Sequence, residues 1–362
     1  YFMNKFKHLD FILIIIVLAI ILFGIMMIYS ASYRGEGLSS EFRRQVTFFL
    51  VGLVAMSVMM TADYEFWGKC RSYIYICTVI LLLIVLIKGE NIRGAQSWIT
   101  LGSLGTFQPS EPAKLAFIIT FSRLLSLNQE KINKVSVLIK IALHAGFIIG
   151  LVLLQPDLGT SIVLIGITFT LLFYTGVNPL YLLGVILLGT GIAPFFLKAY
   201  QWKRLTSFIN AENDPTGAGW NILQAQIAVG SGKLFGKGFL QGTQSHLHFV
   251  PEHTTDFIFA VIGEEFGFTG CILLLIAYFL IVWEGLSIAK NAKDSFGTLI
   301  ALGIVSMFAL HIMENIGMNI GIMPITGIPL PFISVGGSSL LTNMMSIGVL
   351  LNIKLKSQRT LF

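Results

Sequence analysis

The chain has 362 residues, of which 55% are hydrophobic and 12% charged, with a formal net charge of +6. So little charge cannot cover the surface of a soluble globule of this length, and a soluble fold is excluded. The positive balance lacks the interleaved basic and aromatic pattern of nucleic-acid binding; it points to basic flanks meeting anionic membrane lipid.

Tyr1 and Phe2 precede Met3 as the remnant of a cleaved tag would, and the first apolar stretch has no small-residue cleavage site of a signal peptide. Ten apolar stretches follow, near 9–30, 44–61, 72–88, 109–127, 136–154, 158–175, 179–197, 256–284, 296–320 and 338–353. About 20 residues of helix cross the ~30 Å hydrocarbon layer, whereas barrel strands would be short and alternating. The expected fold is therefore an all-α integral membrane protein, one polytopic domain over 1–362. An even number of spans puts both termini on one side. Lys5, Lys7, Lys131, Lys134, Lys140, Lys290, Lys293, Lys354, Lys356 and Arg359 collect there, and the positive-inside rule makes it cytoplasmic. Arg34, Arg43 and Arg44 are the minority on the other side. Cys70, Cys77 and Cys271 read as small apolar packing residues, with no disulfide or metal role.

Residues 198–255, between the seventh and eighth spans, form the one long break in hydrophobicity and are predicted to be an extracytoplasmic loop. Within it "GSGKLFGKG" (230–238) departs from the nucleotide-binding phosphate loop, because Ser231 stands where the first glycine belongs and Gly238 where Ser or Thr belongs. Lys233, Lys237 and the backbone N–H groups around them could still meet a pyrophosphate, or the stretch could be a plain turn. At the end of the loop, Asp256 in "TTDFIFAVI" fits two roles. It can cap the helix that follows, or act as a partly desolvated general base at the membrane edge. Glu252, Glu264 and Glu265 are lesser candidates, the last two better suited to supporting a site.

Charges inside the spans are few and therefore informative. Glu111 and Lys114 lie three apart on one helix face and within reach of each other. Asp157, at the turn between the fifth and sixth spans, falls level with Glu111 on the outward side, so these three are expected to line one polar cavity. His311 and Glu314, also three apart, read as a second intramembrane pair, and His144 as a structurally bonded histidine; no metal site is expected from them.

"NIGMNIGIM" (315–323) followed by "PITGIPLPFISVGGSS" (324–339) closely resembles the C-terminal signature of the SEDS family, for shape, elongation, division and sporulation. The resemblance extends over nearly the whole chain, through "QPSEPAKL" (108–115), "QPDLGTS" (155–161), "NDPTGAGWN" (213–221) and "GKGFLQGTQ" (236–244), and the "GTQ" at 242–244 is more like the elongation branch. It implies a peptidoglycan glycosyltransferase that polymerises lipid II at the outer face of the cytoplasmic membrane, with a class B penicillin-binding protein and other elongation-complex proteins as partners. Asp256 matches the family's catalytic aspartate. Two departures stand out. Thr254 occupies the place, two before that aspartate, where the family commonly has His, with His253 one position earlier, and Val335 replaces the usual Tyr, Ser or Ala.

Transfer of an α-linked lipid diphosphate sugar to an acceptor 4-hydroxyl with inversion needs a base, which Asp256 would supply, and counter-charge for the pyrophosphate. Arg204, Lys233, Lys237 and Lys114 are the candidate cations, and a divalent cation is a further candidate. A lipid II flippase would also explain polar residues within broken spans, and a scaffold would need no buried charge.

Overall fold

A computed structural model of the chain describes residues 10–33, 37–92, 95–100, 102, 106–196, 202, 217–247 and 249–359. Arg204, one of the predicted cations, lies outside the described residues, as does most of the predicted loop before Gly217.

A helix lies over each predicted apolar stretch. In chain order the helices are α1 (Phe11–Ala31), α2 (Ser40–Thr61), a short α3 (Tyr64–Lys69), α4 (Arg71–Lys88), α5 (Ser110–Asn128), α6 (Val135–Leu154), α7 (Leu158–Tyr174), α8 (Pro179–Phe196), α9 (Ala218–Ser231), a single-turn α10 (Thr243–His246), α11 (Ile258–Lys290), α12 (Ser295–Asn319) and α13 (Gly337–Arg359). Among the described residues seven, α1, α2, α4, α6, α11, α12 and α13, are long and apolar enough to cross a membrane. Glu111, Lys114 and Arg123 interrupt the apolar length of α5, and α7 has 17 residues.

Local chemistry sets the helix starts. The carboxylates of Asp10, Asp63, Asp157 and Asp294 and the hydroxyl of Ser39 accept the first free backbone N–H groups of α1, α3, α7, α12 and α2 in turn, the standard use of short polar side chains at N-caps. Between α4 and α5, strands β1 (Glu90–Ile92), β2 (Ala95–Thr100) and β3 (Thr106–Phe107) form an antiparallel sheet in the order β1-β2-β3. Glu90 pairs with Trp98 and Ile99 with Phe107. Gln96 N–H donates to the Gln155 carbonyl at the end of α6, which ties the sheet to the helices.

Helices α12 and α13 are the most enclosed of the seven, and α2 and α4 the least. Leucine, isoleucine and phenylalanine side chains stand exposed along α1, α4, α6, α8 and α11, as the lipid-facing surface of a bundle requires. Inside, close approach depends on small residues. A Cβ at Gly24 in α1 would come 2.7 Å from Ile333 Cα, so this helix crosses directly over the chain before α13.

The 33 residues of α11 are two helical pieces joined at Gly267, where φ is 64° and ψ is −161°. The glycine-rich stretch fills that break. Lys237 and Gly238 N–H donate to the Glu264 and Glu265 carbonyls, and Phe268 and Thr269 N–H donate to the Lys233 and Leu234 carbonyls. Gly232 and Gly236 allow this contact, since a Cβ on either would fall within 2.1 Å of a carbonyl oxygen of α11.

Candidate active site

One end of the bundle gathers the starts of α5, α7, α11 and α13 with the end of α12, and two of the predicted site residues, Asp157 and Asp256, meet there. Asp256 precedes α11 in a run of turns. Its carbonyl accepts from Asn315 Nδ2 and Asn319 Nδ2, both at 3.0 Å. The Thr255 carbonyl accepts from Ser334 Oγ at 2.6 Å, and the Thr254 carbonyl from Val335 N–H at 3.0 Å. Three consecutive carbonyls are thus bound to α12 and to the segment 324–336. On that segment Gly327 has φ +75°, and Asp256 Oδ2 is the nearest atom, at 3.7 Å, to where its Cβ would stand.

The start of α11 also receives an oxygen from α12. The N–H of Ala260 in the first turn of α11 donates to Asn319 Oδ1 at 3.0 Å. An oxygen from α12 thus meets one of the backbone N–H groups of that first turn.

Asp157 is a hub between helices. Its Oδ1 accepts from Thr160 N–H at 3.0 Å, and its Oδ2 from Thr160 Oγ1 at 2.9 Å, Gln108 Nε2 at 2.9 Å and Ser110 Oγ at 3.2 Å. Gln108 N–H in turn donates to Ser338 Oγ at 2.9 Å. Two residues on, Gly159 packs against the Thr326 carbonyl and the Ile328 side chain. Asp157 and Asp256 therefore flank the same segment, 326–328.

Deeper in the bundle Lys114 Nζ lies 2.8 Å from Glu111 Oε1 and 2.9 Å from His311 Nε2. Lys114 is 1% and Glu111 3% exposed, so this cluster is sealed inside the protein. His311 bonds to Lys114, and no hydrogen bond joins it to Glu314. The ammonium can satisfy both neighbours only if the Nε2 of His311 is the acceptor. His144 is stacked on Tyr75 at 4.2 Å and bonded to Thr120 Oγ1 at 3.2 Å, a packing role.

The loop residues serve other partners. Lys237 Nζ meets Glu264 Oε1 at 2.7 Å, about two turns along α11 from Asp256, while the Lys233 side chain is exposed. The backbone N–H groups of Gly236, Lys237 and Gly238 donate to carbonyls of Gly232, Glu264 and Glu265, so they do not form an open anion nest. Glu265 Oε1 accepts from Ser30 Oγ at 2.5 Å. His253 faces the Val250 and Ala31 carbonyls at 3.1 Å through its two ring nitrogens, and Glu252 accepts from Thr255 Oγ1 at 3.2 Å.

The sequence reading passes over Asn315, Asn319, Ser334 and Gln108. The available signal is two asparagines four apart in "NIGMN", on one face of an otherwise apolar helix, where a side-chain amide must find a hydrogen-bond partner.

Residues 10–359 match the family model described as cell cycle protein, FtsW/RodA/SpoVE. The stage V sporulation protein E of Bacillus subtilis (strain 168) is 39% identical over 354 residues, covering 95% of this chain and 96% of that protein. The peptidoglycan glycosyltransferase MrdB of Escherichia coli (strain K12) is also 39% identical, over 357 residues, covering 96% of this chain and 93% of that protein. A solved chain from work on the structural coordination of polymerization and crosslinking by a peptidoglycan synthase complex superposes with a TM-score of 0.83 at 28% identity, covering 96% of this chain and 98% of that one.

Proposed function

The chain belongs to the FtsW/RodA/SpoVE family of cell cycle proteins, and from that membership we propose that it polymerises lipid II at the outer face of the bacterial cytoplasmic membrane, with Asp256 as general base. It is a multi-pass membrane protein and a peptidoglycan glycosyltransferase. The elongation branch is proposed on the "GTQ" at 242–244, since identity to the sporulation relative and to MrdB is the same.

In the proposed reaction the acceptor sugar's 4-hydroxyl oxygen attacks the anomeric carbon of the donor. The C–O bond to the lipid diphosphate breaks as the new β-glycosidic bond forms, so the configuration inverts. The hydroxyl proton passes to an Asp256 carboxylate oxygen, and the electron pair of the broken bond leaves on the pyrophosphate. General-base assistance of this kind contributes roughly 10²–10⁴ in rate. Lys233, exposed, and Arg204 are proposed to meet the pyrophosphate. Lys237 and Lys114 already neutralise Glu264 and Glu111, and we propose that they act by holding the loop and the helix starts in place. Asp157 is proposed to fix the site wall at 326–328. A class B penicillin-binding protein is the proposed cross-linking partner, and both termini are proposed to face the cytoplasm.

The observation that supports this reading is that the Asp256 carbonyl is held by Asn315 and Asn319, which fixes the backbone that carries its carboxylate beside the segment 326–328. The test is lipid II polymerisation by purified Asp256→Asn in proteoliposomes, with the penicillin-binding partner present and its transpeptidase inactivated. An amide takes no proton from a hydroxyl, so glycan synthesis should be lost while the fold is kept. Robust synthesis by Asp256→Asn would remove Asp256 as the base. No glycan from the wild-type protein, with lipid II already on the outer leaflet, would favour the flippase reading.

A further inference from the structure

We infer that Asn315 and Asn319 are positioning residues for Asp256: a two-amide clamp on α12 that fixes the catalytic backbone by its carbonyl. The inference rests on the reading of Asp256 as the base. Two side chains four apart on one helix face converge on a single acceptor. Asn315 Nδ2 and Asn319 Nδ2 each donate to the Asp256 carbonyl at 3.0 Å, and the two lone pairs of that oxygen are filled.

Each amide also holds a second element. The other N–H of Asn315 Nδ2 donates to the Ile328 carbonyl at 2.8 Å, the residue after the glycine beside Asp256 Oδ2. Asn319 Nδ2 donates to the Asn315 carbonyl at 2.8 Å, and Asn319 Oδ1 accepts from Ala260 N–H at 3.0 Å. Both side chains are fully buried. The clamp therefore registers three things against α12: the carbonyl of Asp256, the first turn of α11 and the site wall at 326–328.

The chemistry explains why amides are needed. At each position the group must donate to a buried carbonyl, and at 319 it must also accept from a backbone N–H. A carboxylate can do only the second, and a hydrocarbon neither. A neutral amide also adds no charge beside a base whose proton affinity matters. Placement of a general base within hydrogen-bond reach of the hydroxyl governs its efficiency, and displacement of about 1 Å can cost 10²-fold in rate. The clamp should thus appear in turnover and leave substrate affinity largely unchanged.

Asn319→Asp separates the two jobs of that residue. It keeps an oxygen for Ala260 N–H but loses the donation to Asp256. Asn315→Asp loses both of its donations. The measurement is lipid II polymerisation by each variant in proteoliposomes, with rates normalised to folded protein from the monodisperse chromatographic peak. The expected result is kcat lowered at least tenfold with KM within threefold for both variants, and, for Asn319→Asp, folded protein whose melting is lowered by the buried carboxylate. If Asn315→Asp does not fold, Asn319→Asp decides alone. Should Asn319→Asp misfold as well, its amide acts in folding and the inference is overturned. Wild-type kcat in folded Asn319→Asp, or a rise in KM with kcat unchanged, also overturns it. Asp256→Asn run alongside keeps the two ideas apart. Full activity there ends the base reading itself, whereas loss there with full activity in both clamp variants ends only the clamp.

Discussion

Glu264 Oε1 lies 2.7 Å from Lys237 Nζ, and the same carboxylate accepts the backbone N–H groups of Thr243, Gln244 and Ser245 at 2.8, 2.8 and 3.1 Å. One buried anion on α11 thus caps the single turn of α10 and neutralises the loop lysine. Removing the carboxylate takes this acceptor from the three backbone N–H groups, while Lys237 Nζ keeps the Thr243 hydroxyl at 2.7 Å. Glu264→Ala is expected to cost roughly 3–5 kcal/mol, as breaking a buried pair from one side does. Glu264→Gln keeps one acceptor oxygen and should cost roughly 1–3 kcal/mol. Thermal melting in detergent, with limited proteolysis of 232–247, measures both; unchanged protection in Glu264→Ala would show that the loop does not depend on this anion.

Glu111 and Lys114 are expected to act as a coupled unit with His311. Either single neutral substitution, Glu111→Gln or Lys114→Met, leaves an uncompensated charge in a sealed site, whereas the double substitution removes both. A double-mutant cycle on melting temperature and polymerisation should give an interaction energy of about 0.5–3 kcal/mol. Strictly additive losses would mean that Lys114 works without Glu111.

Gly267→Ala should be among the most damaging single-methyl changes. The backbone there is in a region reserved for glycine, at a cost of ~1–3 kcal/mol for other residues. The added Cβ would also stand 2.3 Å from Gly236 N and 2.8 Å from the Gly232 carbonyl oxygen. Gly230→Ala is the control, since nothing lies within 4 Å of its Cβ position. The expected outcome is little folded protein from the first and wild-type yield from the second, read by size-exclusion profile. Equal yields would contradict the packing described at the break.

Topology is open to a direct test. With Cys70, Cys77 and Cys271 replaced, a cysteine at Gly217 should react with an impermeant thiol reagent in intact spheroplasts. Labelling only after lysis would reverse the proposed orientation and with it the side on which Asp256 is proposed to act.

The helices were legible in the sequence because long apolar runs leave the backbone no other way to satisfy its hydrogen bonds in lipid. The short strands over 90–107 were not, being polar, brief and interrupted by glycine. Helix α9 was hidden inside what reads as loop, since "AGWNILQAQIAVGS" is too short and too polar for a span. Asp256 could be named from its motif, yet capping and catalysis stayed equally open from spacing alone. The contact of its carbonyl with Asn319, 63 residues away, was not legible at all. The glycines of 230–238 suggested an anion site because composition records small residues and leaves their neighbours out; in the fold they make room for the backbone of α11. His311 looked like a partner for Glu314 three residues on, but Lys114 from another helix reached it first.

The crossing of α1 by the chain ahead of α13 has a consequence for how the protein is made. Gln45 Nε2 in α2 donates to the Ser334 carbonyl across 289 residues of sequence, and α1 meets Ile333 at Gly24. Helices α1 and α2 therefore have among their partners a segment synthesised 289 residues after Gln45. At about 5–20 residues per second they wait roughly 15–60 s in the bilayer before those contacts can form. During that interval the inward faces of Gly24 and Gln45 are covered by lipid or by the insertion machinery. A polypeptide truncated before residue 324 would leave both faces without these partners.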